Sequence, residues 1–497
     1  LSGDHPFGRS YDRSRCTGPL RYNTTTLFKF HEIMWKKQFS QLCYQSKNLG
    51  FEKLVVRQKH RFVLKELSPN PIDDNDPRRH PGNRRGLEYD LPYKLLLNST
   101  KVINRYRNKN FRAKVKKINE EFLNVFVAEK NDNNSIPTRN TIHFDDSMDY
   151  LEFEKHKTHL KEEYRRNLYF EKDFYNAHDC ASYMAARLPA NYMAISYILN
   201  QIRKEEPDFV PTSVFDFGSG MGTTIWACDH YWKDSIREYF CVDINENMNE
   251  LSRELLQNGT PNNAHILNQI FYRQFLPAKH IPSYDLVVSA FSLMELEHTS
   301  SRLYALENLW QKTSGALVVI EHGSKSGFNL VMEARNFLLQ ISKAQLEAAS
   351  LKPKNVPNKD VSNRQTESKG SIMAPCPHNH ICPRQSILNK KSYCNFAVNY
   401  QQLDYGQMNP GIKSEKFAYF VMKKNGYFDW REEQKIWSRI VEPVVKRSKH
   451  SICRICDNDG CLKEIIVARS KYPQNIYRCI KTSRWGDRIP AMVCEAD

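Results

Sequence analysis

No run of about eighteen apolar residues occurs in this chain; the longest candidates, residues 286–294 and 316–320, are strand-sized, so the sequence offers no membrane-spanning helix. No internal repeat is visible, so nothing points to a solenoid or propeller. Acidic residues are short by comparison with basic ones, 56 against 73, leaving a formal charge of +17. Such an excess favours a polyanionic partner through counterion release, with nucleic acid the leading candidate, although a merely solvated basic surface would carry the same charge. At 40% hydrophobic and 12% aromatic, the chain is not disordered as a whole, and its 497 residues exceed one ordinary core. Two to four units are expected on the prior of about 100–200 residues per domain. The chain begins at Leu1 rather than Met, which leaves room for an upstream segment, a cleaved targeting peptide included.

Cysteine is unevenly spread: of 13, eight lie at or beyond Cys376, and they cluster at intervals of a few residues. In a chain this long such clusters read as ligand spacing rather than as an extracellular disulfide framework, and they place the protein in a reducing interior.

The region to about residue 175 is basic and turn-rich, with Pro69, Pro71, Pro77 and Pro81 among Arg78, Arg79, Arg84 and Arg85. Two later stretches interleave cations with aromatics: Arg105, Tyr106, Arg107, Lys109, Phe111, Arg112, Lys114, Lys116 and Lys117, then 161–170 with Tyr164, Arg165, Arg166 and Tyr169. Cations steer to phosphates and rings stack on unpaired bases. The same pattern also fits amphipathic helices whose aromatics face a core.

From about residue 180 helical and strand periodicities alternate. Ile195, Ile198, Leu199 and Ile202 recur at helical spacing; strands are expected at 214–217, 239–242, 286–289 and 316–320, and helices at 248–256, 301–311 and 328–341. Alternation at this interval implies an α/β parallel sheet covered on both faces. Residues 352–370 are polar enough for a linker or insertion. Beyond them, 416–423 is apolar on both faces and reads as a buried strand, and Ile465–Val467 and Ile476–Ile480 add β character.

The first of those strands ends at Asp216 and runs into Phe217-Gly218-Ser219-Gly220-Met221-Gly222. Glycines there let backbone N–H groups and a helix N-terminus approach a ligand. Asp243 ends the next strand, where a carboxylate can accept both hydroxyls of a ribose. A tight strand-to-helix turn explains the glycines alone; strand, loop, helix and acid in this order favour a nucleoside cofactor. The order looks more like the S-adenosylmethionine loop of class I methyltransferases than a dinucleotide fingerprint. After the fourth strand, however, the chain reads Ser289-Ala290-Phe291-Ser292-Leu293-Met294-Glu295, without the Asn/Asp-Pro-Pro-aromatic motif of many amino-methylating enzymes. Glu295, Glu321 and His322 are the nearby groups able to assist transfer, and structural roles suit them better.

The thiols recur as Cys376-Pro377-His378-Asn379-His380-Ile381-Cys382-Pro383, then Cys394, then Cys453-Arg454-Ile455-Cys456. Four thiolates around a metal would tie segments some eighty residues apart. By spacing alone zinc stands slightly ahead of iron–sulfur. His378 and His380 read as loop histidines, and Cys453, Cys461 and Cys479 as buried small residues or spare thiols. A cysteine nucleophile at Cys376 or Cys382 is the weaker reading.

With these residues in view, the chain resembles the methyltransferase-like protein 17 family of mitochondrial small-ribosomal-subunit assembly factors and its yeast and bacterial relatives. The resemblance covers roughly residues 180–490. It is carried by Val214 to Gly222, Glu321-His322-Gly323 before Gly327-Phe328, the Cys376 to Pro383 run, Glu415-Lys416-Phe417-Ala418-Tyr419, Tyr477-Arg478-Cys479 and Trp485-Gly486-Asp487, with His80-Pro81-Gly82 as a further fragment. It implies a class I S-adenosylmethionine-dependent methyltransferase fold, a [4Fe-4S] cluster in place of zinc, the mitochondrial matrix, and binding to small-subunit rRNA and ribosomal proteins, as a monomer on the particle. The cluster ligands carry over to Cys376, Cys382, Cys394 and Cys456, with Cys453 as a substitute for the last. S-adenosylmethionine contacts fall on Asp216, Gly218, Ser219, Gly220, Gly222 and Asp243.

The resulting expectation is four regions: a basic, helical N-terminal region at 1–175, a Rossmann-like sheet domain at 176–350, a linker at 351–372, and a cysteine-pinned β-rich unit at 373–497 that completes the sheet domain. The expected role is ribosome assembly with little or no catalysis; the alternative is an active rRNA methyltransferase.

Overall fold

Strand β2 (Ser213–Phe217) is buried on both faces and lies between two parallel neighbours, β3 (Glu238–Val242) and β5 (Tyr284–Ala290). The computed structural model that contains it describes residues 62–131 and 176–495, apart from 69, 84–89, 262, 268, 277–281, 297–298, 351–369, 386–392 and 425–436. The aromatic and cationic stretch at 161–170, and Arg84 and Arg85, lie outside the described residues. Those described belong to one compact unit.

In chain order the elements are β1 (Phe62–Lys65), α1 (Tyr93–Tyr106), α2 (Lys109–Asn131), α3 (Ala177–Glu205), β2, α4 (Thr223–Trp232), β3, α5 (Glu246–Leu256), β4 (Ile270–Arg273), β5, α6 (Thr299–Lys312), β6 (Thr313–His322), α7 (Lys325–Ser350), β7 (Gly370–Ala374), β8 (Phe396–Gln401), β9 (Ile412–Lys424), β10 (Arg439–Ile440), β11 (Val445–Lys446), β12 (His450–Cys456), β13 (Leu462–Ala468), α8 (Gln474–Thr482) and β14 (Met492–Glu495). Eight strands form one sheet in the order β4-β3-β2-β5-β6-β9-β7, with β8 sharing the β7 edge of the long β9. Strands β4, β3, β2, β5 and β6 run parallel, and β9 enters antiparallel between β6 and β7. A parallel five with a reversed strand inserted before the last is the class I methyltransferase order, a doubly wound sheet whose direction of winding switches between β2 and β5.

The sheet is sandwiched between two apolar layers. On one face α3 packs with α1, α2, α4 and α5 over Val214, Leu286, Val318 and Phe417; on the other α6 and α7 cover Phe215, Val287, Leu317 and Phe420. Helix α3 is buried around almost its whole circumference because it lies between the sheet and α2, and its first turn is capped by Asn176, whose side chain accepts from Asp179 N at 2.9 Å. Of the two readings of residues 105–117, the amphipathic one holds in the structure. Phe111 is fully buried against His178, with ring centroids 5.6 Å apart, and Tyr106 meets the same ring at 5.8 Å. Lys109, Arg112, Lys116 and Lys117 point outward.

A second, four-stranded sheet has β12 at its centre, with β10 and β11 along one edge and β13 along the other. Residues 476–480, expected to add β character, instead lie in helix α8. Ile476, Tyr477, Cys479 and Ile480 face the small core while Arg478 and Lys481 face out, a 3.6-residue period that a five-residue apolar window conceals. Gly370 to Ala374 already form a buried strand, ahead of the expected end of the linker. The chain is closed by β1 pairing antiparallel with β14 and by the carbonyl of Gly82, which accepts from Arg488 N at 2.9 Å.

Between α3 and β9 the Arg187 guanidinium grips Glu415 with both nitrogens, at 2.8 and 3.1 Å. Burial would raise the Glu415 pKa, but Arg187 and then His322 outweigh it and hold the carboxylate at about 2, against an ordinary 4.5. A depressed folded-state pKa contributes stability that is fully present above about 4.5 and is lost as pH falls through about 2. Glu415→Gln, which leaves a buried guanidinium without its counter-charge, is expected to destabilise by about 3–5 kcal/mol at neutral pH. Urea denaturation across pH 7 to 2 should show wild type and variant converging at the acid end.

Candidate cofactor loop and metal centre

The loop after β2 turns through three left-handed glycines, Gly218 (φ +68°), Gly220 (+50°) and Gly222 (+74°). Two of them are demanded by the protein's own packing: a Cβ at Gly218 would lie 2.3 Å from Ser292 Cβ, and one at Gly222 would lie 2.2 Å from Ser252 Oγ. A Cβ at Gly220 meets nothing closer than Asp243 Oδ2, 4.0 Å away. Gly220 is therefore the position of the three where open space adjoins the backbone, and helix α4 begins just beyond.

Asp243 is fixed by two backbone donors, Gly220 N to Oδ2 at 2.7 Å and Asn245 N to Oδ1 at 2.9 Å. Burial raises its pKa and these donors pull it back. Asp216, at the end of β2, is buried, and its Oδ2 has no hydrogen-bond partner among the described residues. Burial pushes its carboxyl up to about 7, with the Thr224 hydroxyl opposing and Asp243 reinforcing the shift. A buried acceptor left open beside a glycine loop is the place for a ligand donor.

At the carboxyl ends of β5 and β6 two of the three potential catalytic groups, Glu321 and His322, are packed into the structure. Glu321 Oε1 accepts from Leu293 N at 2.8 Å and Met294 N at 3.2 Å. His322 is flanked by Phe291 and by Phe122 of α2, each 4.9 Å away between centroids. Phe291 itself sits at φ +59°, a strained conformation for an aromatic residue. Glu295 is exposed.

Cys376, Cys382, Cys394 and Cys456 line one cavity together, walled by apolar side chains of α7, β8 and β9 and by Arg384 and Arg439. Cys376 directly follows β7 and Pro375, Cys394 precedes β8, and Cys456 ends β12. The loop carrying Cys382 is held to α7 by Arg335, which donates to the carbonyls of His378 at 2.9 Å and His380 at 3.0 Å. Arg439 reaches across from the small sheet to the carbonyl of Pro375 at 2.9 Å. Cys453 faces the opposite side of β12, in the small sheet's own core with Ile455, as strand alternation requires. Cys479 lies in that core too.

The two histidines part company. His380 is exposed, whereas His378 is buried with Nε2 3.2 Å from Cys456 Sγ. His378, read from sequence as a loop histidine, and Arg384 and Arg439, which were not singled out, all border the thiols; their partners lie so far along the chain that no local signal marks them. Burial pushes the Cys382 thiol up to about 11 and Cys394 up to about 12, and Cys456 well above its ordinary range; the neighbouring cysteines reinforce each shift. Burial thus disfavours the thiolate form of these three, and a bound metal would deprotonate them. Among the described residues no three His, Cys, Asp or Glu side chains stand close enough to hold a single metal ion, and none of the cysteines is in a disulfide. Nor is any described helix long and apolar enough to cross a membrane.

The chain is 35% identical over 314 residues to the human mitochondrial ribosome assembly protein METTL17, covering 63% of each chain. It is 25% identical over 341 residues to the Rsm22-cox11 tandem protein 2 of Schizosaccharomyces pombe, also mitochondrial, covering 62% of this chain and 43% of that one. The chain thus spans less than two thirds of the length of these curated relatives. Among solved structures it is similar to the magnesium protoporphyrin IX methyltransferase of Synechocystis PCC 6803, at 10% identity and a TM-score of 0.26 over 59% of this chain and all of that one; the fold assignment rests on the strand order instead. The family described as mitochondrial small ribosomal subunit Rsm22 matches residues 177–490. Because that match runs from the first turn of α3 to beyond α8, and takes in the glycine loop and all four cavity thiols, the chain belongs to the mitochondrial small ribosomal subunit Rsm22 family.

Proposed function

We propose that this protein is a mitochondrial assembly factor for the small ribosomal subunit, which binds small-subunit rRNA through a basic surface kept in shape by a [4Fe-4S] cluster. Cys376, Cys382, Cys394 and Cys456 would hold the cluster, which when bound supplies a rigid multi-thiolate crosslink. The observation that carries this reading is the meeting of four thiols from separate segments in one buried cavity. The choice of an iron–sulfur centre over zinc follows the family resemblance rather than the cavity, since both centres take four thiolates. Arg384 and Arg439 on the same wall bring guanidinium groups to the cavity, each paired on its far side with a carboxylate, Glu442 and Glu205.

The glycine loop supports retention of an S-adenosylmethionine pocket. Gly220 opens the backbone to the ligand, Asp243 is oriented for a ribose, and Asp216 offers an unused acceptor. Exposed Ile244 next to Asp243 offers an apolar surface for the base. On the acceptor side the same reading assigns little or no catalysis. Glu321 is committed to two backbone N–H groups, and His322 is enclosed by Phe291 and Phe122.

Two measurements test these assignments. Anaerobically purified wild type should be coloured and contain iron and acid-labile sulfide. Cys376→Ser should lose both, melt at lower temperature and bind small-subunit rRNA at least about tenfold more weakly, a change of about 1.4 kcal/mol. A variant that kept full RNA affinity and thermal stability would rule the cluster out as an organiser. Separately, incubation with radiolabelled S-adenosylmethionine and small-subunit rRNA should give binding of the cofactor without methyl transfer, and Gly220→Arg should abolish the binding. Turnover that disappears in Gly220→Arg would establish the protein as an rRNA methyltransferase instead.

A further inference from the structure

The two ends of strand β12 have opposite chemistry. At one end Cys456 enters the thiol cavity, and the acids nearby are neutralised: Asp457 and Asp459 by Lys463, and Glu442 by Arg384 and Arg454. At the other end the chain turns tightly between β11 and β12, with Arg447 N donating to the carbonyl of His450 at 2.9 Å. Lys446, Arg447 and Lys449 ring that turn. The neighbouring strand β13 ends beside it, since Ala468 pairs with His450 and Arg469 N donates to the carbonyl of Lys449 at 3.1 Å. Lys471 follows, its N–H bonded to the carbonyl of Ala468 at 3.1 Å.

All five cations are exposed, and segments 443–453 and 465–473 contain no Asp or Glu. Among the described residues Arg447, Lys449, Arg469 and Lys471 form no ion pair with a carboxylate; on the flank, Asp74 is held by the Asn475 amide at 2.7 Å. Adjacent strands lie about 4.8 Å apart, so the backbone register crowds these charges onto one end of a small sheet. Such crowding costs self-repulsion in the free protein that a phosphate backbone relieves. A membrane surface would also call for several apolar side chains to insert, and in 443–453 and 465–473 Ile466 is the single exposed large hydrophobic.

We propose that the β11–β12 turn, with Arg469 and Lys471, is a contact surface for the RNA phosphate backbone, and that its shape is tied to Cys456 through the single strand β12. This rests on the RNA-binding reading above and assigns that reading a location. Strand β12 is seven residues, roughly 20 Å from cavity to turn, and is hydrogen-bonded along its length to β13. Fixing Cys456 therefore fixes the strand whose far end the cation-bearing turn adjoins.

The test uses the full chain with its cluster, a small-subunit rRNA transcript, and vesicles containing anionic phospholipid. Lys449→Glu/Arg469→Glu should bind the transcript at least about tenfold more weakly, and the slope of log affinity against log salt should shrink by about 1–2. Iron content and melting temperature should stay at wild-type values. A neutral pair, Lys449→Gln/Arg469→Gln, should show the same direction with a smaller loss. Unchanged affinity and slope, with wild type binding normally, would place the RNA surface elsewhere and leave the broader function standing. Failure of wild type itself to bind the transcript would remove that function and this proposal together. Loss of vesicle binding with RNA binding intact would overturn the assignment in favour of lipid. For the link along β12, Cys456→Ser, or chelator-treated wild type if that variant does not fold, should already lack most of the affinity that the charge reversal removes. Full additivity of the two changes would break the link.

Discussion

The register of β9 is the constraint on which the rest of the architecture depends. On one face it turns Glu415, Tyr419 and Lys423 toward α3, where Arg187, the Gln201 amide (2.7 Å from the Tyr419 hydroxyl) and Glu206 receive them. On the other face Ala418, Phe420 and Met422 enter the apolar layer under α7. A slip of one residue would drive Glu415 and Lys423 into that apolar layer without partners, which the strand cannot accept. Buried ion pairs of this kind add little net stability over apolar packing, but they exclude the wrong register.

That register is transmitted directly to the thiols. Strand β7 pairs with β9 and leads through Pro375 into Cys376; β8 pairs with the other half of β9 and is preceded by Cys394. Ala418 and Tyr419 of β9 form part of the cavity wall between them. The small sheet arrives independently and is joined by polar contacts: Glu205 at the end of α3 lies 3.6 Å from Arg439 and 3.4 Å from Arg488, and Arg439 spans to Pro375 and Gly486. Its private apolar core is modest, dominated by Ile440, Ile455, Ile465, Val467 and α8. A unit with so small a core gains most from a crosslink to the larger domain, and in the cluster proposed above Cys456 would be its contribution.

The parallel sheet was legible because its strands are short apolar runs bounded by glycine, acid and turn residues. The expected 214–217, 239–242, 286–289 and 316–320 all lie inside β2, β3, β5 and β6. Helix α8 was missed because five residues cannot separate a period of 2 from one of 3.6 when the flanking Asn475 and Lys481 are polar either way. At 105–117 the composition was legible and the direction was not: whether Phe111 stacks on a base or on His178 depends on where α3 lies, which is a tertiary fact. The six loop and acid residues could be picked by order along the chain. The role of Gly218 and Gly222 could not, since Ser292 and Ser252, which forbid side chains there, are tens of residues away. Similarly, Cys456 and Cys453 are equal as sequence; only the alternation of β12 sends one to the cavity and the other to the small core.

The two halves of a methyltransferase site are separable because different strands build them. The cofactor half sits on the ends of β2 and β3, where Gly220 and Asp243 bind each other through backbone and carboxylate whether or not anything is methylated. The acceptor half sits on the ends of β5 and β6, and there the chain has spent its polar groups on rigidity. Phe291 is held in the left-handed region by its N–H on the Ile320 carbonyl at 2.8 Å, and Glu321 clamps the next turn. Phe122, with the Arg187 guanidinium 4.2 Å above its ring, extends α2 over His322. Transfer needs an acceptor placed in line with the methyl group, and on the reading proposed above the aromatic rings packed at these strand ends would occupy that approach. On that reading the strain at Phe291 serves a wall rather than a reactive geometry, and the scaffold would act as a ligand-stiffened platform for the basic surfaces around it.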